Sequence, residues 1–154
     1  MTWTPVTFGK HAGLTLPQIM LTDPGWAFWA FERKIFYGRF APEASDVYDK
    51  ARRIRICKRR PERWLVDYRY DDTSRFLGFS FVRARNAPWL GSGHIRSEWL
   101  DLSRIRMNRP YDKGGGRNLL RDFRQYYFDD RNLTKRRCDE FFDDDDNFVA
   151  VPGW

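Results

Sequence analysis

The stretch that decides the fold is Trp64-Leu65-Val66-Asp67-Tyr68-Arg69-Tyr70, then Asp71-Asp72-Thr73-Ser74, then Phe76-Leu77-Gly78-Phe79-Ser80-Phe81-Val82-Arg83. In its first part Trp64, Val66, Tyr68 and Tyr70 alternate with Leu65, Asp67 and Arg69. Successive side chains of a strand point to opposite faces, so period-two alternation reads as a half-buried strand. Asp, Thr and Ser in a row supply turn chemistry. The last part alternates again, with Phe79 and Phe81 around Ser80. A short turn leaves room only for antiparallel pairing, because a parallel connection needs a dozen or more residues. A β-hairpin follows.

Downstream, Asn86 to Gly93 reads as a loop, and His94 to Ile105 as a third strand that alternates less cleanly. Met107 to Gly116 reads as a loop ending in Lys113-Gly114-Gly115-Gly116. Leu119, Leu120, Phe123, Tyr126 and Tyr127 then form the stripe of an amphipathic helix over 117–130. Asn132 or Thr134 caps a final helix with Cys138, Phe141 and Phe142 on one face. Asp143-Asp144-Asp145-Asp146-Asn147 reads as an acidic tail, either solvated or folded back on the basic segment.

Upstream, Thr4 to Phe8 reads as a short strand entering a turn over 9–13. A helical turn runs through Leu21, and Asp23-Pro24 opens an aromatic helix to about Tyr37. Gly38 to Glu43 reads as a break. Ala44 to Arg60 then reads as a basic helix ended by Pro61. The expected class is α+β: an N-terminal β-turn-α-α module, a basic helix, a two- or three-stranded antiparallel meander and two C-terminal helices. Residues 1–42 form one unit and 43–154 a basic α+β region with an acidic tail, or the two make one domain.

Charge is distributed unevenly. The 154 residues carry a net charge of +7. Residues 1–50 hold 5 basic and 5 acidic side chains, residues 51–110 hold 15 and 6, and residues 111–154 hold 8 and 10. The middle alone is strongly cationic, and 22 of the 28 basic residues are Arg. Guanidinium forks match phosphate oxygens bidentately. Neutralising phosphates also releases condensed counterions. The candidate nucleic-acid contacts are therefore Lys10, Arg52, Arg53, Arg55, Lys58, Arg59, Arg60, Arg63, Arg69, Arg83 and Arg85. Tyr68, Tyr70, Phe79 and Phe81 add aromatic faces, at least half of which must serve the core.

Other classes fit poorly. No apolar run reaches the ~18 residues of a membrane span, and Met1-Thr2-Trp3-Thr4-Pro5 has no signal-peptide pattern. Cys57 and Cys138 are too few for a disulfide scaffold and read as reduced thiols of a cytoplasmic protein. No metal spacing is present, and no cofactor is expected. Asp143, Asp145 and Asn147 imitate the start of an EF-hand loop, but Phe148 stands at the glycine position. Lys113-Gly114-Gly115-Gly116-Arg117 lacks the spacing and the Lys-Ser/Thr of a phosphate-binding loop.

One segment carries a resemblance. Phe8-Gly9-Lys10-His11-Ala12-Gly13, the following Leu14-Thr15-Leu16-Pro17-Gln18-Ile19, and Asp23-Pro24-Gly25-Trp26-Ala27-Phe28-Trp29 resemble the small FGK module. That module stands at the C-terminus of exodeoxyribonuclease X-like proteins and in many small phage and bacterial proteins. The resemblance covers about residues 6–31. It implies an accessory module of DNA-processing proteins, without the nuclease core. The lysines that often flank the module's second glycine are Ala12 and Leu14 here, which leaves Lys10 as the turn's only cation. Gly9 and Gly13 suit a tight turn.

The reading that results is a small non-enzymatic nucleic-acid-binding accessory protein of phage or mobile-element type, with single- or double-stranded DNA as partner and no membrane. The alternative is an interaction or inhibitor protein acting on a host protein or a CRISPR-type nucleoprotein complex. A third reading, a metal-dependent nuclease, would draw on Asp67, Asp71, Asp72, Glu98 and Asp101.

Overall fold

A computed structural model describes residues 2–57, 63–84, 93–106 and 112–150. The hairpin forms where its alternation predicts. Strands β1 (Trp64–Tyr70) and β2 (Phe76–Arg83) pair antiparallel, Val66 opposite Phe81 and Tyr68 opposite Phe79. Strand β3 (His94–Ser97) pairs with the other edge of β1, giving the order β2-β1-β3. It is shorter than its sequence suggested. The Ser97 hydroxyl donates to the Trp99 carbonyl and accepts the Trp99 N–H, a local bond that competes with the ladder. Leu102–Arg106 then winds into a 3-10 helix.

The described residues form five α-helices, α1 (Leu16–Thr22), α2 (Pro24–Glu32), α3 (Phe40–Ala51), α4 (Lys113–Phe128) and α5 (Lys135–Asp143), of which α4 packs against β2. The class is α+β, as the sequence implies. Thr15 starts α1 with a capping box closed by Gln18. Residues 4–8 form no strand. Val6 alone pairs there, through its N–H to the Leu14 carbonyl and its carbonyl from the Gly13 N–H. The turn between them uses positive φ at Gly9 (77°) and Gly13 (92°). Helix α2 stops at Glu32 rather than near Tyr37. Lys34 turns left-handed there, and the Ile35 N–H reaches back to the Ala30 carbonyl.

The basic helix expected over 44–60 is corrected twice. It starts earlier, at Phe40, because Pro42 in a first turn lacks only an N–H that needs no partner there. It ends earlier, at Ala51, because Arg53-Ile54-Arg55-Ile56 is itself a period-two pattern. Ile54 and Ile56 are buried, and Ile54 exchanges both backbone bonds with Leu100 at 2.8 Å. Residues 58–60 lie outside the described residues. The segment 53–55 also receives the tail, with the Arg55 N–H on the Asn147 carbonyl and the Val149 N–H on the Arg53 carbonyl. Phe148 is buried between them, so the acidic tail folds back.

The Gly-rich stretch 113–116 is helix, not loop. The Asp112 carboxylate caps it by accepting the Gly115 N–H at 2.8 Å. The rest of that expected loop, 107–111, lies outside the described residues, as does 86–92. One core cluster runs from Trp3 and Val6 through Val66, Tyr68 and Phe79 to Phe142 and Phe148. It crosses the expected boundary at residue 42. Side chains cross it as well, with Trp3 donating to Asp143 and Thr15 to Asp139.

Candidate nucleic-acid interface

The register sorts the sheet's side chains. Trp64, Val66, Tyr68 and Tyr70 share one face with Arg83, Phe81, Phe79 and Phe76. This face is core. The Tyr68 hydroxyl donates to the Trp99 carbonyl and accepts the Asp101 N–H. Burial holds the Tyr68 and Tyr70 hydroxyls well above the ordinary tyrosine range. Tyr68, Tyr70 and Phe79 are buried and Phe81 packs against Tyr126, so these aromatics belong to the fold.

The opposite face carries the Leu65–Val82 pair and then polar rows. One row across the strands is Ser80–Asp67–Arg96 and the next is Gly78–Arg69–His94. Asp67 is buried, and its carboxylate meets His94 Nδ1 at 3.0 Å and Arg96 Nε at 3.4 Å. Arg69 donates to the Ser80 hydroxyl at 3.2 Å. A Cβ at Gly78 would meet Asp122 Oδ2 at 2.5 Å, Arg69 Nη2 at 2.9 Å and Arg121 Nη2 at 3.1 Å. Any side chain there would displace three ionic groups that converge on that spot. Arg69 of the sheet and Arg121 of α4 are thereby neighbours.

From Arg121 the cations continue along α4. Lys113, Arg117 and Arg121 recur every four residues, all three are exposed, and four-residue spacing stacks side chains on one helix face. A cleft of about 640 Å³ between the β1–β2 turn and the start of α4 is lined by Arg75, Lys113 and Arg117. Its acids are committed elsewhere. Asp71 accepts the Arg75 and Thr73 N–H groups and the Thr73 hydroxyl, bonds that hold its carboxyl below the usual range. Asp112 caps α4 and accepts the Phe76 N–H. Among the described residues Arg75, Lys113 and Arg117 thus form no ion pair with a carboxylate, whereas Arg121 pairs with Asp122 at 3.1 Å.

The expected contact residues separate into groups. Arg69 lies in the row just described. Arg83 stacks on Trp64 at 5.5 Å, on the core side. Arg63 pairs with Glu98. Lys10 pairs with Asp23 at 3.1 Å and lies over Trp26. Arg52 lies over Tyr48. Arg53 donates to the Val149 carbonyl, and Arg55 to the carbonyls of Asp146 and Phe148. Carbonyls orient a guanidinium without neutralising it. Among the described residues neither Arg53 nor Arg55 has a carboxylate partner. Lys58, Arg59, Arg60 and Arg85 lie outside the described residues. Arg75, Lys113, Arg117 and Arg121 are not among the expected contacts: the helix over 117–130 carries Arg117 and Arg121, but the glycine run hides the first turn that aligns Lys113 with them, and only the fold brings Arg75 alongside.

The acids of the nuclease reading do not converge. Asp67 holds His94, Asp71 caps its own turn, Glu98 meets Arg63, and Asp101 accepts both Ser103 donors. Among the described residues no three His, Cys, Asp or Glu side chains gather as a metal site. No helix among them is long and apolar enough to cross a membrane. Comparison with protein-family models, curated proteins and solved structures finds no match to this chain.

Proposed function

We propose that the protein is a non-enzymatic nucleic-acid-binding accessory protein of phage or mobile-element type. The observation that carries this reading is the cleft in which Arg75, Lys113 and Arg117 meet, continued by Arg121 to Arg69 around Gly78. Cations from a hairpin and from one helix face line a single track. Phosphate contacts of this kind supply sequence-independent affinity. The resemblance of residues 6–31 to an accessory module of DNA-processing proteins points the same way. The test is binding to single- and double-stranded DNA across a salt series. A steep fall of log affinity with log salt is expected, and flat or absent binding overturns the reading.

A second reading, docking on a protein partner, rests on a different place. Phe31, Phe36, Tyr37, Ala41, Ala44 and Tyr48 line a largely apolar groove of about 510 Å³, where Tyr37 is 74% exposed. Exposed aromatics beside apolar pockets are interface material. A host-protein complex that survives nuclease treatment and high salt, and is lost in Tyr37→Ser, is its expected signature.

A further inference from the structure

His94 is the histidine that the cleft leaves unexplained, and its surroundings are specific. Its Nδ1 lies 3.1 and 3.0 Å from the two oxygens of Asp67, whose side chain is 4% exposed. A carboxylate only accepts, so Nδ1 carries the hydrogen. Arg96 Nε, 3.4 Å from Asp67 Oδ1, steadies the same carboxylate. The ring is thus fixed, and Nε2 points away from Asp67 by the geometry of imidazole. Among the described residues Nε2 has no hydrogen-bond partner, and the His94 side chain is 25% exposed. A buried acid therefore presents one ring nitrogen outward. Directly across the strand pair stands Arg69, the residue that meets Arg121 at Gly78. Arg121, Arg69 and His94 make one row from helix to far strand.

We infer that Arg69 and His94 together form a phosphodiester-binding pair that extends the cationic track across the sheet, with His94 acting as an imidazolium. This rests on the nucleic-acid reading above. Neutral His94, with its hydrogen on Nδ1, offers only a lone pair at Nε2. A phosphate oxygen is also an acceptor, so the two would repel. Protonated His94 offers Nε2–H while keeping Asp67. Binding a phosphate there takes up one proton. Among the described residues Asp67 of β1 meets the ring, Arg96 of β3 meets the same carboxylate, and Arg69, opposite His94 in register, carries its guanidinium over Ser80 and Gly78 of β2. In the bound state each ring N–H then has an anionic partner, Asp67 at Nδ1 and the phosphate at Nε2.

The test is a pH titration of both histidines by imidazole ¹⁵N resonances, in free protein, with single-stranded oligothymidylate, and with inorganic phosphate at equal phosphate concentration. Oligothymidylate is expected to raise the His94 midpoint and leave that of His11 in place. Affinity should fall by up to about tenfold per pH unit above the free midpoint. His94→Asn should flatten that dependence, and Arg69→Gln should weaken the oligothymidylate-induced shift of His94. If DNA binds with a steep salt dependence while the His94 midpoint stays fixed, the pair is overturned and the broader reading stands. An equal shift with inorganic phosphate also overturns it, as a free-phosphate site. If no salt-dependent binding is seen, both fall. The wild-type titration decides without any variant having to fold.

Discussion

Asp122 on α4 accepts the backbone N–H of Phe79 on β2 at 3.0 Å. A helix side chain thus takes a place that a fourth strand would fill. Asp112 does the same for the Phe76 N–H, Asn118 donates to the Phe76 carbonyl, and Arg121 reaches the Leu77 carbonyl. Open strand edges invite pairing with other chains, and here α4 closes the edge with polar side chains from one face. That docking also fixes Lys113, Arg117 and Arg121 beside the hairpin, so edge protection and the cationic cleft have one structural cause.

Asp122→Ala should destabilise the protein by about 1–3 kcal/mol, because it strands a buried N–H and unpairs Arg121. Asp122→Asn keeps an acceptor and should recover part of the loss. Urea midpoints at constant slope check this. Equal midpoints for wild type and Asp122→Ala would show that α4 does not hold the edge.

The second relationship joins the ends of the chain. The Thr15 hydroxyl donates to Asp139 Oδ1 at 2.6 Å, and Lys135 meets the other oxygen at 2.8 Å. Thr15 also caps α1. Thr15→Ala should cost about 2 kcal/mol, near the upper end for a lost cap. The double variant with Asp139→Ala should cost less than the two single losses together, since they share one bond. Strict additivity in urea unfolding would mean that the ends do not couple.

What could be read from sequence followed the strength of local pattern. β1 and β2 announce themselves because Trp64 to Tyr70 and Phe79 to Phe81 alternate without interruption. For α5 the sequence offers two caps, Asn132 and Thr134, and the structure uses Thr134. Ile54 and Ile56 alternate with arginines just as clearly, but over four residues, and a preceding helix pattern absorbs them. Their partners Leu100 and Phe148 are distant in sequence, so nothing local signals the pairing. Gly114 to Gly116 argue against a helix by propensity. The Asp112 cap and the docking against β2 override them. The basic character of the middle was legible, whereas the cleft was not, because it depends on α4 meeting the hairpin.

Alkaline pH should unfold the protein cooperatively. Tyr68, Tyr70 and Tyr127 are all held above the ordinary tyrosine range, chiefly by burial. Their stabilising contribution is complete below about pH 10, where unfolded tyrosines are still protonated. Above it the unfolded chain releases protons that the folded chain retains. Stability then falls by about 1.4 kcal/mol per tyrosine per pH unit. Tyrosinate absorbance of these residues should appear together with the loss of helical circular dichroism. Full ionisation of all seven tyrosines in a folded protein would refute it.

The two thiols should behave differently. Burial pushes Cys138 up to about 12, with Asp139 adding to the shift, whereas Cys57 is exposed. Only thiolate attacks a disulfide reagent. At pH 8 the native protein should release one equivalent of thionitrobenzoate rapidly, and the second only in denaturant. Cys57→Ser should remove the fast phase, and a fast phase that remains would place Cys138 within reach of solvent.

The cleft makes a prediction that net charge alone does not. Arg75→Gln and Arg117→Gln each remove one cation lining it. Arg136→Gln removes one from α5, where Arg136 pairs with Glu140 at 2.9 Å. All three variants lower the formal charge equally. If affinity for single-stranded DNA arises from phosphates seated in the cleft, each of the first two should reduce the slope of log affinity against log salt by about 0.7. Arg136→Gln should leave that slope unchanged. Arg136 and Glu140 pair on the exposed surface, so losing Arg136 should leave the urea midpoint essentially unchanged, and folding does not confound the comparison. Equal slopes in all three variants would mean that DNA responds to the protein's overall charge, and the track from Arg75 to Arg69 would then have no part in binding.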